Sequence, residues 1–291
     1  MMSDSLGRVY KKKENCCGCE ACRQACPHEI ITMVCDNEGF EYPEVDNDKC
    51  IECGICKQVC PIHRAKVKED IIKKCYVAYW DNNVRLISSS GGLFSIFADE
   101  TISNNGIVSG AIFDKDYSVF HKCEDKNYEL MRSSKYLQSR IGDNYKEVKK
   151  YLEEGRNVLF SGTECQVAGL KSFLKVDYDN LVTVGVLCHG VPSPLVWSKY
   201  LDSISDKRNK TIGKVSFRNK DEGWKEYNLK INFKNGEVLK EGFGNNPYMK
   251  SFLSEICLRP SCHKCKFKKL EREADITIGD SWGIKKLLPE L

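Results

Sequence analysis

The sequence predicts an α+β protein, made of a small cysteine-dense part followed by a larger mixed α/β part. Ten of the 17 cysteines lie within the first 60 residues. This cysteine-dense part contains an internal repeat, and the chain after Cys75 alternates between strand-like and helix-like segments. The short part contains little apolar sequence and is expected to be held together by metal, whereas the longer part can bury a core of its own.

The cysteine count of 17 in 291 residues also limits the class of protein. Secreted disulfide scaffolds are much shorter, and the first residues contain no apolar run typical of a secretory signal. No apolar run is long enough to span a membrane, and a net charge of +4 does not by itself indicate nucleic acid binding. We therefore expect a cytoplasmic protein whose cysteines serve metal or redox chemistry.

The internal repeat consists of residues 16–27, CCGCEACRQACP, and residues 50–61, CIECGICKQVCP. Both copies follow the spacing C-x2-C-x2-C-x3-C-P. Three thiolates at this spacing wrap one face of an iron–sulfur cube, and the fourth cysteine ligates the other cluster. Zinc is the alternative, but it typically takes its four ligands as two separated pairs. The predicted ligands are Cys16, Cys19, Cys22 and Cys60 for a first [4Fe–4S] cluster, and Cys50, Cys53, Cys56 and Cys26 for a second.

The segment between the two copies, residues 30–46, is typical of two short strands around a turn at Asp36–Gly39. With the repeat, it resembles the bacterial two-[4Fe–4S] ferredoxin domain over about residues 10–65. We assign residues 1–65 to this ferredoxin-like domain and the charged residues 66–74 to a linker. Cys17 and Cys35 fall outside the ligand pattern and are interpreted as buried or half-buried free thiols.

The rest of the chain, residues 75–291, is predicted to be one mixed α/β domain. A polar turn opens a helix over residues 88–102, a second helix covers 162–174, and the turn Lys234–Gly236 predicts a hairpin. Predicted strands cover residues 76–80, 106–114, 117–120, 157–162, 182–190, 227–233 and 274–280.

Small and polar residues cluster where several of these strands end. The clusters are Ser88–Gly92, Ser134–Ser139, Ser161–Thr163 and His189–Gly190. Glycine and serine at such turns let backbone amides approach an anionic group, so together the clusters suggest a cofactor that carries phosphate. None of them matches GxGxxG or a Walker loop, so a standard Rossmann or P-loop site is not supported.

Taken in order, several stretches resemble the coenzyme F-420 hydrogenase/dehydrogenase beta-subunit family. The resemblance covers nearly all of residues 75–291, with the ferredoxin-like domain fused in front. The matching stretches are SSSGGLFS (88–95), SSKYLQS (133–139), SGTECQVAGL (161–170), VLCHGVPSP (186–194), VSFRNKDEGWKEY (215–227), NPYMKSFL (246–253), LRPSCHKCKFK (258–268) and ADITIGDSWGI (274–284).

The resemblance implies a flavin-binding domain that holds FAD and an additional iron–sulfur cluster. Lys135 is a candidate catalytic residue, because a cation near the flavin ring or its pyrophosphate would stabilise negative charge. His189 is a second candidate, which could donate to flavin or substrate, with an ordinary structural histidine as the alternative. The flavin contacts implied by the resemblance are Ser90, Gly91, Gly92, Lys135, Gln138, Ser139, Thr163 and Gln166.

The residues themselves also point to a third metal site. Cys257-x4-Cys262-x2-Cys265 supplies three thiolates, Cys165 is the expected distant fourth ligand, and Cys188 is the alternative ligand. A structural zinc on the same cysteines is the competing interpretation. A role for Cys165 as a lone nucleophile is less favoured, because no histidine–acid pattern accompanies it.

The chain departs from the family pattern at two places. Glu164 stands where the family usually has proline, and we expect its carboxylate to lie beside Cys165 and to lower the potential of a cluster there. The chain also stops eight residues after Gly283, whereas many members run well beyond this point. A C-terminally short flavin domain is the expectation that follows.

The predicted function is that of an iron–sulfur flavoprotein oxidoreductase. Electrons would enter from a ferredoxin or a partner redox subunit, pass through the clusters to FAD, and reduce a small organic acceptor, with the reverse direction open. The acceptor is a deazaflavin coenzyme F-420 or another hydride acceptor. The alternative is a non-catalytic electron-transfer subunit, which needs no FAD. Nucleic acid binding through Lys11–Lys13 and Lys266–Lys269 is not favoured, because aromatic residues are not interleaved with them.

Overall fold

A computed structural model describes residues 9–64, 74–208, 210–286 and 289 of the chain. It confirms the predicted fold class, with a small cysteine-rich part and a larger part of mixed helices and strands. The linker predicted at residues 66–74 lies, apart from Lys74, outside the described residues. No helix within the described ranges combines the length and the apolar character that crossing a bilayer requires.

The small part is built on the predicted hairpin. Strands β1 (Ile31–Cys35) and β2 (Glu41–Val45) pair antiparallel with Ile31 opposite Val45. The Asp36 carboxylate holds the turn, because its Oδ1 accepts hydrogen bonds from the amides of Glu38 and Phe40, each at 2.9 Å. Three one-turn helices carry the cysteine loops: α1 (Ala21–Gln24), α2 (Ile55–Gln58) and α3 (Pro61–Arg64).

The larger part is organised around a six-stranded sheet in the order β11-β7-β6-β3-β4-β5. Adjacent strands run parallel except for the antiparallel β3–β4 pair. Its strands are β3 (Ile107–Phe113), β4 (Val119–Glu124), β5 (Ser139–Arg140), β6 (Val158–Thr163), β7 (Leu181–Val186) and β11 (Ile276–Ile278).

A second, three-stranded antiparallel sheet has the order β10-β9-β8 and supports an aromatic core that includes Trp197, Phe217 and Tyr248. Its strands are β8 (Ile212–Asn219), β9 (Asn228–Phe233) and β10 (Val238–Gly242). The predicted hairpin after β9 is confirmed, since Gly236 donates its amide to the Phe233 carbonyl at 3.0 Å.

The helices of the larger part cover the sheets and connect their strands. The two predicted helices both form: the first begins at Leu93, after the polar turn of residues 88–92, and the second begins at Glu164. The helices are α4 (Asn82–Ile87), α5 (Leu93–Ser103), α6 (Asn144–Glu153), α7 (Glu164–Leu174), α8 (Pro194–Arg208), α9 (Pro247–Leu253) and α10 (Pro260–His263).

One predicted strand is wrong. Residues 76–80 form an apolar run rich in aromatic side chains, but the structure places them in no strand, and Tyr76 is 77 % exposed. The backbone amide of Trp80 donates to the carbonyl of Gly91 at 2.7 Å, and no further ladder bond within the described residues extends this pairing. A single bond of this kind fixes the loop before α5 but does not build a strand.

Candidate functional site

The thiols predicted for the first cluster lie together in the small part. Cys19 and Cys22 are buried, and burial together with the neighbouring Cys16 and Cys60 thiols raises the pKa of Cys22 well above its ordinary value. Cys60 comes from the second copy of the repeat and is thus grouped with the first copy, as the spacing predicted. Thiols crowded in this way stay protonated unless a cation binds them, so the donor set fits a metal cluster.

The thiols predicted for the second cluster surround a cavity of about 250 Å³. Cys26, Cys50, Cys53 and Cys56 all line it, with Ile31 and Val45 among the apolar residues of its wall. Burial and the nearby Cys53, Cys50 and Cys26 thiols raise the pKa of Cys56. Cys53 is exposed and the adjacent Ile51 is 65 % exposed, so this site opens at the surface of the molecule.

Arg259 joins the larger part to the loop of the first cluster site. The side chain is fully buried, and its guanidinium lies 4.2 Å from the centre of the Tyr42 ring. Its Nε donates to the carbonyl of Cys16 at 2.8 Å, Nη2 lies 3.7 Å from Cys16 Sγ, and Nη1 donates to Gln138 Oε1 at 2.9 Å.

No carboxylate among the described residues forms an ion pair with Arg259. A buried charge without a counter-ion is costly. Burial opposes the charge, but the neighbouring Cys16 thiol raises the pKa of Arg259 above its ordinary value. The anionic partner that the fold provides for this cation is therefore the thiolate side of the first cluster site.

A third group of thiols lies beyond the first cluster site. Burial, together with the nearby Cys165 and Cys262 thiols, raises the pKa of Cys188, and burial raises the pKa of Cys262 to about 11. The nearby Cys265 thiol contributes to the raised pKa of both Cys188 and Cys262. The structure thus brings together Cys165, Cys262, Cys265 and Cys188, the last of which was predicted as the alternative ligand.

Cys257, a predicted ligand of the third site, is not brought to this group. Its Sγ lies 3.4 Å from Ser251 Oγ, and its thiol faces Tyr248, whose pKa is raised well above its ordinary value by burial and by Cys257. Its backbone carbonyl accepts a hydrogen bond from the Ser193 amide at 2.8 Å. The spacing of Cys257, Cys262 and Cys265 along the chain does not show which thiols meet, because the short helix α10 lies between the first and the last of them.

Cys17 connects the first and third groups of thiols. It hydrogen-bonds with Cys165, and this bond, together with burial, raises the pKa of Cys165 well above its ordinary value. Cys17, Cys60, Cys165 and Cys265 all pack around the small apolar cluster that includes Phe267. Cys17 is therefore half-buried between two groups of predicted ligands, as expected, whereas Cys35 is exposed, contrary to expectation.

No three His, Cys, Asp or Glu side chains in the described ranges lie close enough together to hold a single metal ion. The three groups of thiols are spread more widely than such a site. What supports a cluster in each case is the donor chemistry of four neighbouring thiols. A buried cation lies beside the first group, and a cavity lies inside the second.

A cavity with a volume of about 1820 Å³ lies at the edge of the six-stranded sheet. Thr163, Val186 and Ile278 are aligned at the carboxyl ends of β6, β7 and β11, which run parallel. Ligands of open α/β sheets bind at this edge. Ligand pockets typically measure about 300–1000 Å³, so this cavity has room for a dinucleotide and a second molecule.

Seven of the eight predicted flavin contacts line this cavity, and Gln138 does not. Its side chain accepts the hydrogen bond from Arg259 described above. The polar turns of residues 88–92 and 134–139 meet, since Ser134 donates its amide to Ser89 Oγ at 2.6 Å. The lining candidates are Ser90, Gly91, Gly92, Lys135, Ser139, Thr163 and Gln166.

Lys135 lines the cavity as a half-buried side chain. Its Nζ donates to the carbonyls of Arg132 at 3.0 Å and Met131 at 3.3 Å, and it makes no ion pair with a carboxylate of the described residues. Burial lowers the pKa of Lys135 to about 7. An anionic ligand in the cavity would supply the missing counter-charge, and the lysine can therefore hold or release a proton near neutral pH.

Three of the predicted contacts already have partners within the protein. Gln166 Oε1 accepts from the backbone amide of Thr163 at 3.0 Å, which completes a capping box at the start of α7. Gln166 Nε2 donates to the carbonyl of Ser139 at 3.2 Å. These side chains shape the cavity wall and leave the backbone of the turn, rather than their own polar atoms, to face a ligand.

His121 is a cavity residue that sequence reasoning missed. Its Nε2 donates to the carbonyl of Ser161 at 3.0 Å, so Nδ1, at 2.7 Å, accepts from the hydroxyl of Ser139. Burial lowers the pKa of His121 to about 4, and the ring stays neutral at pH 7. The alternation of buried and outward residues along β4 could have pointed to this inward histidine.

His189 also lines the cavity, next to Cys188 of the third group of thiols. Its side chain is 40 % exposed, and Nε2 lies 3.6 Å from Glu255 Oε1. Its ring meets Phe252 edge-on at 5.1 Å. His189 therefore sits at the mouth of the cavity, within reach of solvent.

The Glu164 carboxylate does not face Cys165, contrary to expectation. Glu164 is 4 % exposed, its Oε2 accepts from the amide of Glu273 at 2.7 Å, and its Oε1 accepts from Thr277 Oγ1 at 2.8 Å. It also accepts from the amide of Ala274 at 3.2 Å. The residue therefore fastens the segment before β11 to the start of α7.

The comparisons with known proteins agree with this division of the molecule. Residues 15–63 match the family model for the 4Fe-4S dicluster domain. Residues 155–287 match the model for the C terminus of the coenzyme F420 hydrogenase/dehydrogenase beta subunit. Both matches confirm the fusion that the motifs predicted. No curated protein matches the sequence.

Proposed function

Because the chain carries a 4Fe-4S dicluster domain followed by the C-terminal domain of the coenzyme F420 hydrogenase/dehydrogenase beta subunit, we propose that it is an iron–sulfur flavoprotein oxidoreductase. The two domains support iron–sulfur redox chemistry. The proposal adds FAD in the 1820 Å³ cavity, a third cluster, and a small organic hydride acceptor, with a deazaflavin as one candidate. When bound, clusters of this type carry single electrons, and a flavin exchanges them with two-electron substrates.

The observation that carries the proposal is the order in which the groups of thiols follow one another. The second group opens at the surface. Its Cys56 lies near the first group, since it contributes to the raised pKa of both Cys22 and Cys60. Cys17 links the first group to Cys165 of the third. Cys188 of the third group lines the cavity itself. This arrangement supports a single path from a surface site for a ferredoxin or partner subunit to the cavity.

The residues around the cavity would bind the cofactor and exclude water. Lys135 would neutralise an anionic part of the ligand, while the Ser88–Gly92 loop would offer backbone amides to a phosphate group. Lys220 fixes this loop, because its Nζ donates to the carbonyls of Arg85 at 2.6 Å and Ser90 at 3.4 Å. His121, which holds Ser139 in place, keeps the adjacent wall neutral.

The test is to measure iron, sulfide, zinc and flavin in anaerobically reconstituted protein and then to mix it with reduced ferredoxin. We expect about twelve irons and one FAD per chain, since each cluster contributes four irons. Flavin absorbance should bleach on mixing. In Cys188→Ser the flavin should remain bound but bleach much more slowly, whereas Cys35→Ser, which changes an exposed thiol outside all three groups, should match the wild type.

Eight irons with zinc and no flavin would overturn the proposal in favour of a relay that passes electrons to a catalytic partner. Twelve irons without FAD would also contradict it. Flavin that bleaches at the wild-type rate in Cys188→Ser would remove the third group of thiols from the path.

A further inference from the structure

One part of the cavity wall contains buried polar atoms that have no partner in the protein. Arg218 is 7 % exposed and its Nη1 forms an ion pair with Oδ2 of Asp280. Nε and Nη2 of Arg218 and Oδ1 of Asp280 are buried without a hydrogen-bond partner among the described residues. A buried polar group left unpaired costs roughly 1–3 kcal/mol. The fold thus leaves two donors and one acceptor to be satisfied by something else.

Aromatic rings surround this ion pair. The Arg218 guanidinium lies 4.6 Å from the centre of the Tyr227 ring and 5.9 Å from that of Trp282. Trp282 stacks on Trp224, with ring centres 4.4 Å apart and planes at 25°. All of these residues line the 1820 Å³ cavity. Flat side chains at this place favour a flat ligand.

The charge of the pair decides the kind of group that fits. A simple anion would satisfy Arg218 but would meet the unpaired oxygen of Asp280. A quinone offers only acceptors and would leave the same oxygen unpaired. A neutral amide or imide edge places a carbonyl next to an N–H and satisfies atoms of both residues at once.

We infer that Arg218 and Asp280 bind the amide or imide edge of a planar heteroaromatic ring, against Tyr227 and the tryptophan pair. The inference rests on the proposed function and names the ligand class of the same cavity. The ring belongs either to bound FAD or to the organic acceptor. The unpaired atoms are buried, so its entry requires a neighbouring ring such as Trp282 to move aside. Trp282 is 57 % exposed, so its movement disturbs little of the core.

The experiment compares riboflavin with 3-methylriboflavin, in which the N3–H donor is replaced by a methyl group. Binding of each is measured by anaerobic titration calorimetry to the reconstituted protein, both loaded with FAD and freed of it. Methylation should weaken binding at least about tenfold, because it removes the donor for Asp280. Discrimination in the FAD-loaded form assigns the pair to the acceptor. Discrimination in the FAD-free form alone, with no riboflavin binding to the loaded form, assigns it to FAD.

Variants locate the discrimination. Asp280→Ala should bind both probes with the same affinity, and Arg218→Gln should weaken both. Asp221→Ala should discriminate like the wild type. Asp221 lies in the loop that carries Trp224 and pairs with Lys230 at 2.8 Å, but it does not line the cavity. Iron content in each variant reports on folding.

Equal affinity for the two probes in both wild-type forms would overturn the inference, as would the absence of riboflavin binding to either. Discrimination that persists in Asp280→Ala would do the same. If the protein holds FAD and reduces it but fails these tests, the proposed function stands and the inference is wrong. If the protein holds no FAD but still discriminates between the two probes, the inference stands and the proposed function is wrong.

Discussion

At the scale of single residues, Arg259 has the strongest influence on the first cluster site. It places a fully buried positive charge beside Cys16, and Tyr42 packs against its guanidinium. Reduction makes a cluster more negative, so a neighbouring cation favours the reduced form. We therefore expect the charge of Arg259 to raise the reduction potential of a cluster at the first site.

We predict that Arg259→Gln lowers the reduction potential of one head cluster by on the order of 100 mV. The measurement is an EPR-monitored redox titration of the reconstituted protein. Arg140→Gln serves as the control, because the Arg140 side chain is 51 % exposed and lies 3.8 Å from Glu41. An unchanged potential in Arg259→Gln, with iron content intact, would show that the charge does not act on the cluster.

Lys135 is the second residue whose environment has a measurable consequence. Burial lowers its pKa to about 7, so the side chain loses its charge as the pH rises through neutrality. An anion in the cavity needs the charged form. We predict that FAD affinity falls between pH 7 and pH 9, by up to about tenfold per pH unit.

The measurement is FAD binding to flavin-free protein at a series of pH values. Lys135→Met should bind FAD weakly at every pH in this range and show no such slope. Lys122→Met should keep it, since Lys122 lies at the surface and pairs with Glu124. A slope that survives in Lys135→Met would assign the titration to another group.

At the scale of elements, α7 organises both the first cluster site and the edge of the sheet. Its first residue, Glu164, accepts hydrogen bonds from three donors of the segment 273–277. Glu164→Ala would leave these donors unpaired, and we predict a loss of about 3 kcal/mol in the free energy of unfolding in urea. Glu153→Ala, on the exposed side of α6, should change this quantity by less than about 0.5 kcal/mol.

Hydrogen exchange gives an independent measure of the same contact. Amides of residues 273–278 should exchange faster in Glu164→Ala, whereas those of β3 should not change. Equal acceleration everywhere would indicate a global loss of stability instead of a local release.

The opposite side of α7 contacts the first cysteine loop through Gly169. A Cβ at this position would lie 2.8 Å from Cys19 Cβ and 2.8 Å from the hydroxyl of Tyr145. We predict that Gly169→Ala displaces the loop and reduces the iron content by about four per chain. Gly244→Ala is the matched control, because a Cβ there meets open space. A full complement of iron in Gly169→Ala would show that the loop tolerates the displacement.

At the scale of the whole molecule, the bound clusters would change the charge of the protein. The metal-free chain has a net charge of +4. Three oxidised clusters, each of about −2 with its thiolates, would bring this to about −2. We predict that the reconstituted protein binds an anion exchanger at pH 7.5 and that the metal-free chain does not. Two clusters alone would leave the charge near zero, so the elution position distinguishes protein with two clusters from protein with three.

The sequence was most informative where ligands are close together in the chain. The spacing of Cys16, Cys19 and Cys22, repeated from Cys50, predicted the interleaved grouping that the structure shows. It was least informative where the ligands come from distant segments, as for Cys188. The sequence offered Cys188 only as an alternative to Cys165, and it included Cys257 because that residue lies near Cys262 in the chain.

The sequence by itself determined the chemistry of this protein, an iron–sulfur domain joined to a second redox domain, because local spacing dictates how thiols can surround a metal. Tertiary structure alone decided which distant groups meet. Parallel pairing aligns the ends of β6, β7 and β11 and so brings Cys165, Cys188 and Asp280 to one edge. The tertiary structure also places the side chain of Gln138 against Arg259 instead of in the cavity. Such contacts depend on strand order and packing, and neither is encoded in the spacing of residues along the chain.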